Sequence, residues 1–225
     1  MRKVFLYVKL WFYHLMNYIT GNKSPGFMIS LALAYDQLGM FFRAARVYYR
    51  LIGLNPEDPR PYYGIAILYD SRKRYADAIV WYKKAINAKP DFIPAWFFMA
   101  NAVYELGDKH SALDYYRKVI ERDPSNFWAN NNAGSICEEL GMYTEALDYF
   151  RRALNIIPGH HKVLFNMGVV YAKMGYDQKA QECYWESIKM YKRYPYSFLN
   201  LSLLYKEEKK LDRAITVISE GIRCN

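Results

Sequence analysis

Large apolar side chains recur along this chain at intervals of three and four, and small ones recur at a much longer interval. Met28, Leu31 and Tyr35 stand at i, i+3 and i+7, as do Tyr62, Ile65 and Tyr69, Leu164, Met167 and Tyr171, and Phe198, Leu201 and Tyr205. That spacing lays an apolar stripe along a helix and does not alternate with period two, so it predicts helices and no strand. Aligned at residues 25, 59, 93, 127, 161 and 195, the chain repeats every 34 residues without a gap. The eighth position of each block is small (Ala32, Ala66, Ala100, Gly134, Gly168, Ser202) and the twentieth is always alanine (Ala44, Ala78, Ala112, Ala146, Ala180, Ala214). Two small residues twelve apart predict two antiparallel helices in close contact, because interaxial distance follows the side chains at the crossing. The twenty-fourth position carries a ring in the first five blocks (Tyr48, Tyr82, Tyr116, Phe150, Tyr184) and Ile218 in the last.

Glycine and proline punctuate the same register. Leu38-Gly39, Leu106-Gly107, Leu140-Gly141 and Met174-Gly175 end the first helix of their blocks, since glycine enters the left-handed conformation cheaply. Pro56, Pro90, Pro124 and Pro158, all thirty-second, stop the second helix; Pro25, Pro59 and Pro195 open the next first helix, where a missing N–H costs nothing. The chain thus divides into a leader (1–24) and six blocks: 25–58, 59–92, 93–126, 127–160, 161–194 and 195–225.

Over residues 25 to 225 this pattern resembles the tetratricopeptide repeat, a helix-turn-helix unit of the same length. Departures are local: Lys192 replaces the closing proline of block five, and Val103 and Cys137 stand where other blocks carry tyrosine. A cysteine in a core position reads as a small hydrophobe. The resemblance implies an all-α, right-handed superhelical solenoid whose first helices line a concave groove. It implies a non-enzymatic scaffold holding an extended peptide or a helix of a partner protein.

Composition removes other classes. With 52% apolar and 18% aromatic residues among 225, the chain is a folded protein and not a disordered one. Its net charge of +9 is uneven: the leader carries +4 with no acid, residues 59 to 92 another +4, and residues 93 to 160 sum to −3. A nucleic-acid binder carries a continuous basic stripe, so the acidic middle argues against a helical-repeat RNA binder. Cys137, Cys183 and Cys224 are odd in number and widely spaced, which excludes a disulfide framework and points to a reducing compartment, the cytoplasm. His160 and His161 adjoin in a loop without further ligands in view, so no metal or other cofactor is expected. No nucleophile, phosphate-loop or metalloprotease motif occurs, and no small-molecule substrate is expected. The pairs Glu138-Glu139 and Glu207-Glu208 and the run Arg72 to Arg74 read as solvated helix surface.

In the family the groove is built from the second, fifth, sixth, ninth, twelfth and thirteenth positions. Carried over, these give an aromatic part at Tyr63, Phe97, Phe98 and Tyr104, with Phe98 assigned to packing, and a polar part farther along. At the sixth position of blocks four to six stand Asn132, Asn166 and Asn200. A carboxamide offers donors and an acceptor, so a ladder of them suits the backbone of an extended peptide. The arrangement resembles the asparagine ladder of O-linked N-acetylglucosamine transferases; the other reading is inherited family pattern. The carboxylate clamp of chaperone-binding co-chaperones matches at Asn101, Asn132 and Lys162 but fails where Phe97 replaces a lysine and Asn166 an arginine. The expected peptide-binding residues are Tyr63, Phe97, Asn101, Tyr104, Asn132, Lys162, Asn166 and Asn200.

Residues 4 to 19 are too short for a membrane crossing, and they lack a signal-peptide cleavage site. On a helical wheel Val4, Phe5, Val8, Trp11, Phe12, Leu15, Met16 and Ile19 oppose Lys3, Lys9, His14 and Asn17. This helix either caps the apolar edge of block one or lies on an anionic membrane through residues 1 to 22. The second reading would make the protein a peripheral membrane-associated assembly factor at the inner face of a membrane; a chaperone-like adaptor is a further alternative. At the other end Ile215, Ile218 and Ile222 call for cover by a partner or a second copy of the chain.

Overall fold

A computed structural model describes residues 2–19, 21 and 24–224. Among these residues there are thirteen helices and no strand. A leading helix α1 (Arg2–Ile19) precedes six pairs. They are α2 (Pro25–Gln37) with α3 (Phe41–Leu54), α4 (Pro59–Asp70) with α5 (Tyr75–Ala88), and α6 (Ile93–Glu105) with α7 (Lys109–Arg122). The rest are α8 (Phe127–Glu139) with α9 (Tyr143–Ile156), α10 (His161–Lys173) with α11 (Asp177–Met190), and α12 (Pro195–Glu207) with α13 (Leu211–Cys224). The fold is an all-α helical repeat. It forms two compact units, Met1–Tyr115 and Tyr116–Asn225, with the boundary inside α7.

Each pair turns in the same way. The second or third residue beyond the first helix is left-handed, and two backbone bonds close over it: Gly39 N–H to Asp36 O and Met40 N–H to Tyr35 O, both 2.8 Å, recur at Gly141 and Gly175. In repeats two and six the same place holds Lys73 (φ 57°) and Lys209 (φ 60°), which close the same bonds without glycine. A side chain there is strained by roughly 1–2 kcal/mol. Arg72 is not merely solvated: its Nη1 bonds Asp36 Oδ1 of the preceding repeat at 3.2 Å and Leu68 O at 2.7 Å, and its guanidinium lies 4.7 Å from the Phe41 ring centroid. Glu138 likewise pairs with Lys173 of the following repeat.

Inside the pairs, the small eighth residue and the ring at position twenty-four meet. A Cβ added to Gly134 would lie 2.7 Å from Phe150 Cε1, and one on Gly168 would lie 2.6 Å from Tyr184 Cε1. The ring also reaches the next repeat, for a Cβ on Gly64 would sit 2.4 Å from the ring of Tyr48. Tyr48, Tyr82, Phe150 and Tyr184 are among the most deeply buried large side chains, each contributing about 1.5–3 kcal/mol of transfer free energy. Successive first helices meet directly, α2 with α4 in unit one, α8 with α10 and α10 with α12 in unit two. A buried chain from Ser197 Oγ through Ser187 Oγ (2.7 Å) to His161 O (2.8 Å) ties repeats five and six.

The leading helix packs otherwise than the wheel suggests. Leu10 is buried in the first core cluster, Tyr13 packs against it, and His14 Nε2 lies 2.6 Å from the Tyr35 hydroxyl. Val8, Trp11, Phe12, Leu15 and Ile19 stay exposed, Trp11 by 66%. The wheel misleads because Leu6, Leu10 and Tyr13 supply a second apolar edge, and α2 accepts that edge. The side chains of Lys3, Val4, Phe5 and Asn17 lie outside the described residues. At the far end Ile215 and Ile222 are exposed and Ile218 is half-buried.

If the slot between ring and small residue holds each repeat together, Gly134→Ala should cost about 1–3 kcal/mol, because the Phe150 ring has no room to move. Gly26→Ala, in helix α2 with open space at its Cβ, should be neutral or slightly stabilising. Urea unfolding of both variants checks this, and equal stability of the two would contradict the packing.

Candidate functional site

In unit one, Tyr63 of α4 stands half-buried among rings, 6.0 Å from Tyr82, 5.5 Å from Phe92 and 5.8 Å from Phe98 by centroid. Phe97 meets Phe98 edge-on at 5.4 Å. The structure thus brings Tyr63 and Phe97 into one aromatic cluster through Phe98, with Asn101 and Tyr104 half-buried on the same helix, α6. Burial, with the Asp70 carboxylate as a second cause, pushes the Tyr63 hydroxyl up to about 12. Asp70 escaped the sequence reading. Its Oδ2 accepts a 2.7 Å bond from the buried Tyr82 hydroxyl, and desolvation raises its own pKa. The signal was available, since Asp70 and Tyr82 stand twelve apart at the twelfth and twenty-fourth positions of one block.

Unit two places the three asparagines in unequal circumstances. Asn132 Nδ2 donates to the Tyr116 hydroxyl at 3.0 Å, while its Oδ1 accepts from Asn131 Nδ2 at 3.1 Å. Asn200 Nδ2 donates to the Tyr184 hydroxyl at 3.4 Å. In both cases a sixth-position carboxamide holds the tip of the twenty-fourth-position ring of the preceding repeat. By the same register the counterpart for Asn166 is Phe150 of repeat four, which has no hydroxyl to offer. Among the described residues the Asn166 side chain, half-buried, has no hydrogen-bonding partner.

The polar character expected of this part needs correction. Phe165 packs on Tyr184, Tyr194 and Tyr196 at 5.7, 5.4 and 6.3 Å, and Tyr196, Leu199 and Leu203 are about half exposed. These are second, fifth and ninth positions of repeats five and six, so the same register that pointed to asparagines also pointed to an apolar strip beside them. Lys162 is exposed at the start of α10, next to the stacked His160 and His161 rings. Burial and then the neighbouring Lys162 charge lower the His160 pKa, and burial with His160 and Lys162 does so for His161. Of the clamp positions, Asn101 belongs to unit one and Asn132 and Lys162 to unit two.

Cys137 and Cys183 are not activated thiols. Cys137 is buried, and Cys183 and Cys224 are half-buried, all three as free thiols. Burial pushes Cys137 and Cys183 up to about 11, where the thiolate is scarce at neutral pH. Among the described residues no three His, Cys, Asp or Glu side chains gather as a metal site, and no helix is long and apolar enough to cross a membrane.

The hydroxyl-to-carboxamide bond accounts for a testable asymmetry. Tyr116→Phe should destabilise unit two by about 0.5–1.5 kcal/mol, because it removes the acceptor of Asn132 Nδ2. Phe150→Tyr, which supplies Asn166 with the missing hydroxyl, should leave stability unchanged or raise it. Denaturant unfolding measures both, and a loss of similar size in the two variants would contradict the pairing.

Comparison with known proteins meets this geometry from two sides. Models of the tetratricopeptide repeat match residues 29–91 and 126–193, together more than half of the chain, and the model of anaphase-promoting complex (cyclosome) subunit 3 matches 71–153. No curated protein matches the sequence. Among solved structures, YrrB, described as a protein of this repeat type with an unusual peptide-binding site, superposes with a TM-score of 0.68 at 22% identity. That match covers 82% of this chain and 95% of YrrB. MamA from Desulfovibrio magneticus gives 0.70 at 16% identity, over 74% of this chain and 94% of its own. The Cut9–Hcn1 hetero-tetramer of the anaphase-promoting complex gives 0.63 at 17% identity, over 96% of this chain and 42% of that one.

Proposed function

Since this chain belongs to the tetratricopeptide-repeat family, we propose that it is a non-enzymatic scaffold that holds an extended peptide of a partner protein against the exposed side of its first helices. The observation that carries this reading is Asn166 of α10, a half-buried carboxamide without a hydrogen-bonding partner among the described residues, on a helix that meets α12 with its exposed Tyr196, Leu199 and Leu203. A peptide backbone satisfies such a group whatever its sequence, and the apolar strip takes its side chains. In unit one the Tyr63–Phe97–Phe98 cluster, with Asn101 and Tyr104, offers the aromatic counterpart. Asn132 and Asn200 already hold tyrosine hydroxyls; in this reading they contribute their remaining capacity and keep the face in register.

The test uses a partner segment recovered by crosslinking and titrated calorimetrically. Asn166→Ala should weaken binding roughly two- to tenfold, the equivalent of one lost hydrogen bond, without lowering thermal stability. Phe97→Ala should discriminate among peptides by removing an apolar anchor. Unchanged affinity in a folded Asn166→Ala protein would sink the backbone-holding role and leave these asparagines as inherited pattern.

A second reading has its own observation. The exposed face of α1, Val8, Trp11, Phe12, Leu15 and Ile19, is wide and rich in rings, and residues 1 to 24 contain no acid. Such a helix suits the boundary of an anionic lipid surface, where rings enter the interface and cations meet headgroups. The intact protein should float with vesicles containing phosphatidylglycerol and not with pure phosphatidylcholine, and Trp11→Glu with Phe12→Glu should abolish flotation. Equal flotation of parent and variant would remove the membrane from the account.

A further inference from the structure

The second helices of the first two repeats enclose an open groove of about 530 Å³ that none of the foregoing uses. Its walls are Tyr49 and Ile52 of α3, Pro56 just beyond, Tyr62 of α4, and Trp81 and Lys84 of α5. The floor is aromatic and fixed. Tyr49 meets Trp81 edge-on at 5.6 Å, Tyr62 stacks against it at 6.4 Å, and Lys84 Nζ stands 3.9 Å from the Trp81 ring centroid. A cation on an exposed side chain therefore stands beside the aromatic floor of a groove whose lining also includes the polar Asn87.

The groove is not a general consequence of stacking repeats. Tyr49 and Trp81 occupy the twenty-fifth position of one block and the twenty-third of the next. At the same two positions of blocks three and four stand Arg117 and Tyr149, both in unit two. There the arginine spans the junction, its Nε donating to the Tyr149 hydroxyl at 3.3 Å and its Nη2 to Glu145 Oε2 at 2.9 Å. In unit one a pair of rings replaces that charged bridge. Asp77, the counterpart of Glu145, is drawn instead to Arg74 at 2.8 Å.

Cations outnumber acids on the helices that line the groove, although exposed Glu57 follows the wall residue Pro56. Helix α3 carries Arg43, Arg46 and Arg50 and no acid, with Arg46 and Arg50 exposed within a turn of Tyr49. Helix α5 adds exposed Lys83 and Lys84, and its one acid is Asp77. An occupant must bring apolar bulk for the floor and negative charge for the rim. A nucleobase finds no platform, because Trp81 already carries Tyr62 stacked on it and Lys84 over its ring. We propose that this groove is a second docking site, separate from the first-helix faces, for an acidic peptide segment of a partner protein that inserts one large apolar or aromatic side chain beside Trp81 while flanking Asp or Glu residues meet Lys84, Arg46 and Arg50.

Selection of short random peptides displayed on phage against the immobilised full chain tests the proposal. Enriched peptides should pair a large apolar residue with neighbouring Asp or Glu, and a synthetic consensus peptide should bind saturably. Lys84→Glu and Tyr49→Ala should each weaken that binding roughly tenfold or more. Both positions are exposed, and circular dichroism confirms that the variants fold. Asn166→Ala should bind the consensus peptide like the parent, which separates this site from the first-helix reading. Failure to enrich acidic sequences, or equal binding by Lys84→Glu, overturns the proposal. So does oligothymidylate that competes for the groove and is lost in Lys84→Glu, which would assign it to nucleic acid. A concentration-dependent dimer abolished by Tyr49→Ala in sedimentation would assign it to a second copy of the chain and overturn it equally.

Discussion

In the first five repeats the twenty-fourth position carries a ring, and within each unit much of the packing between helices follows from where that ring sits. Its edge rests on the small eighth residue of its own repeat, as Phe150 does on Gly134 and Tyr184 on Gly168. Its tip reaches the sixth position of the next repeat, where Tyr48 fills the space above Gly64, and where Tyr116 and Tyr184 receive Asn132 and Asn200. One side chain thereby fixes the intra-repeat crossing and the step to the next repeat. Close-packed interiors tolerate little change in volume at such a point, so small residue and ring are selected together.

The same contact decides what the first-helix face has to spare. A sixth-position carboxamide that holds a tyrosine hydroxyl has committed one donor to the fold; one whose counterpart is phenylalanine keeps its full capacity. Asn166 is in the second condition because of a residue sixteen positions earlier, in another helix. The identity of a buried ring therefore decides whether the carboxamide is tied to the fold. On the second-helix side the junction between repeats is similarly decided by a pair of residues, closed where Arg117 bridges to Tyr149 and Glu145, open where Tyr49 meets Trp81.

How much of this was legible in the sequence depends on whether a feature repeats. Helix pairs, their turns and the ring-to-small contact recur every 34 residues, so periodicity reveals them without reference to any partner. The left-handed turns at Lys73 and Lys209 were not legible, because the cue is glycine and the lysines adopt the conformation under the pull of the same two backbone bonds. Arg72 and Glu138 read as solvated helix surface, and Arg117 and Lys173 carry no signal at all. Their partners lie on a neighbouring repeat at distances that only the superposition of repeats fixes. The orientation of α1 was hidden for a different reason: apolar residues occur on both of its sides, and a bond from His14 to Tyr35 accompanies the side that docks. Of the candidate site, the asparagine register was readable, whereas the inequality of Asn132, Asn166 and Asn200 depended on which ring each one meets.

The slot also bears on how such a chain can change length over evolutionary time. A residue inserted within a helix would turn everything beyond it by about 100° and lift the next ring out of its slot, whereas the turns between helices lie on the surface, where insertions are tolerated. Growth or shortening that preserves the slot comes as whole repeats, each bringing its own small residue and its own large one. Duplication is then the natural unit of variation, and the single residues that differ between copies, Phe150 for tyrosine or Tyr49 for arginine, are where one copy of an otherwise identical part acquires a surface of its own.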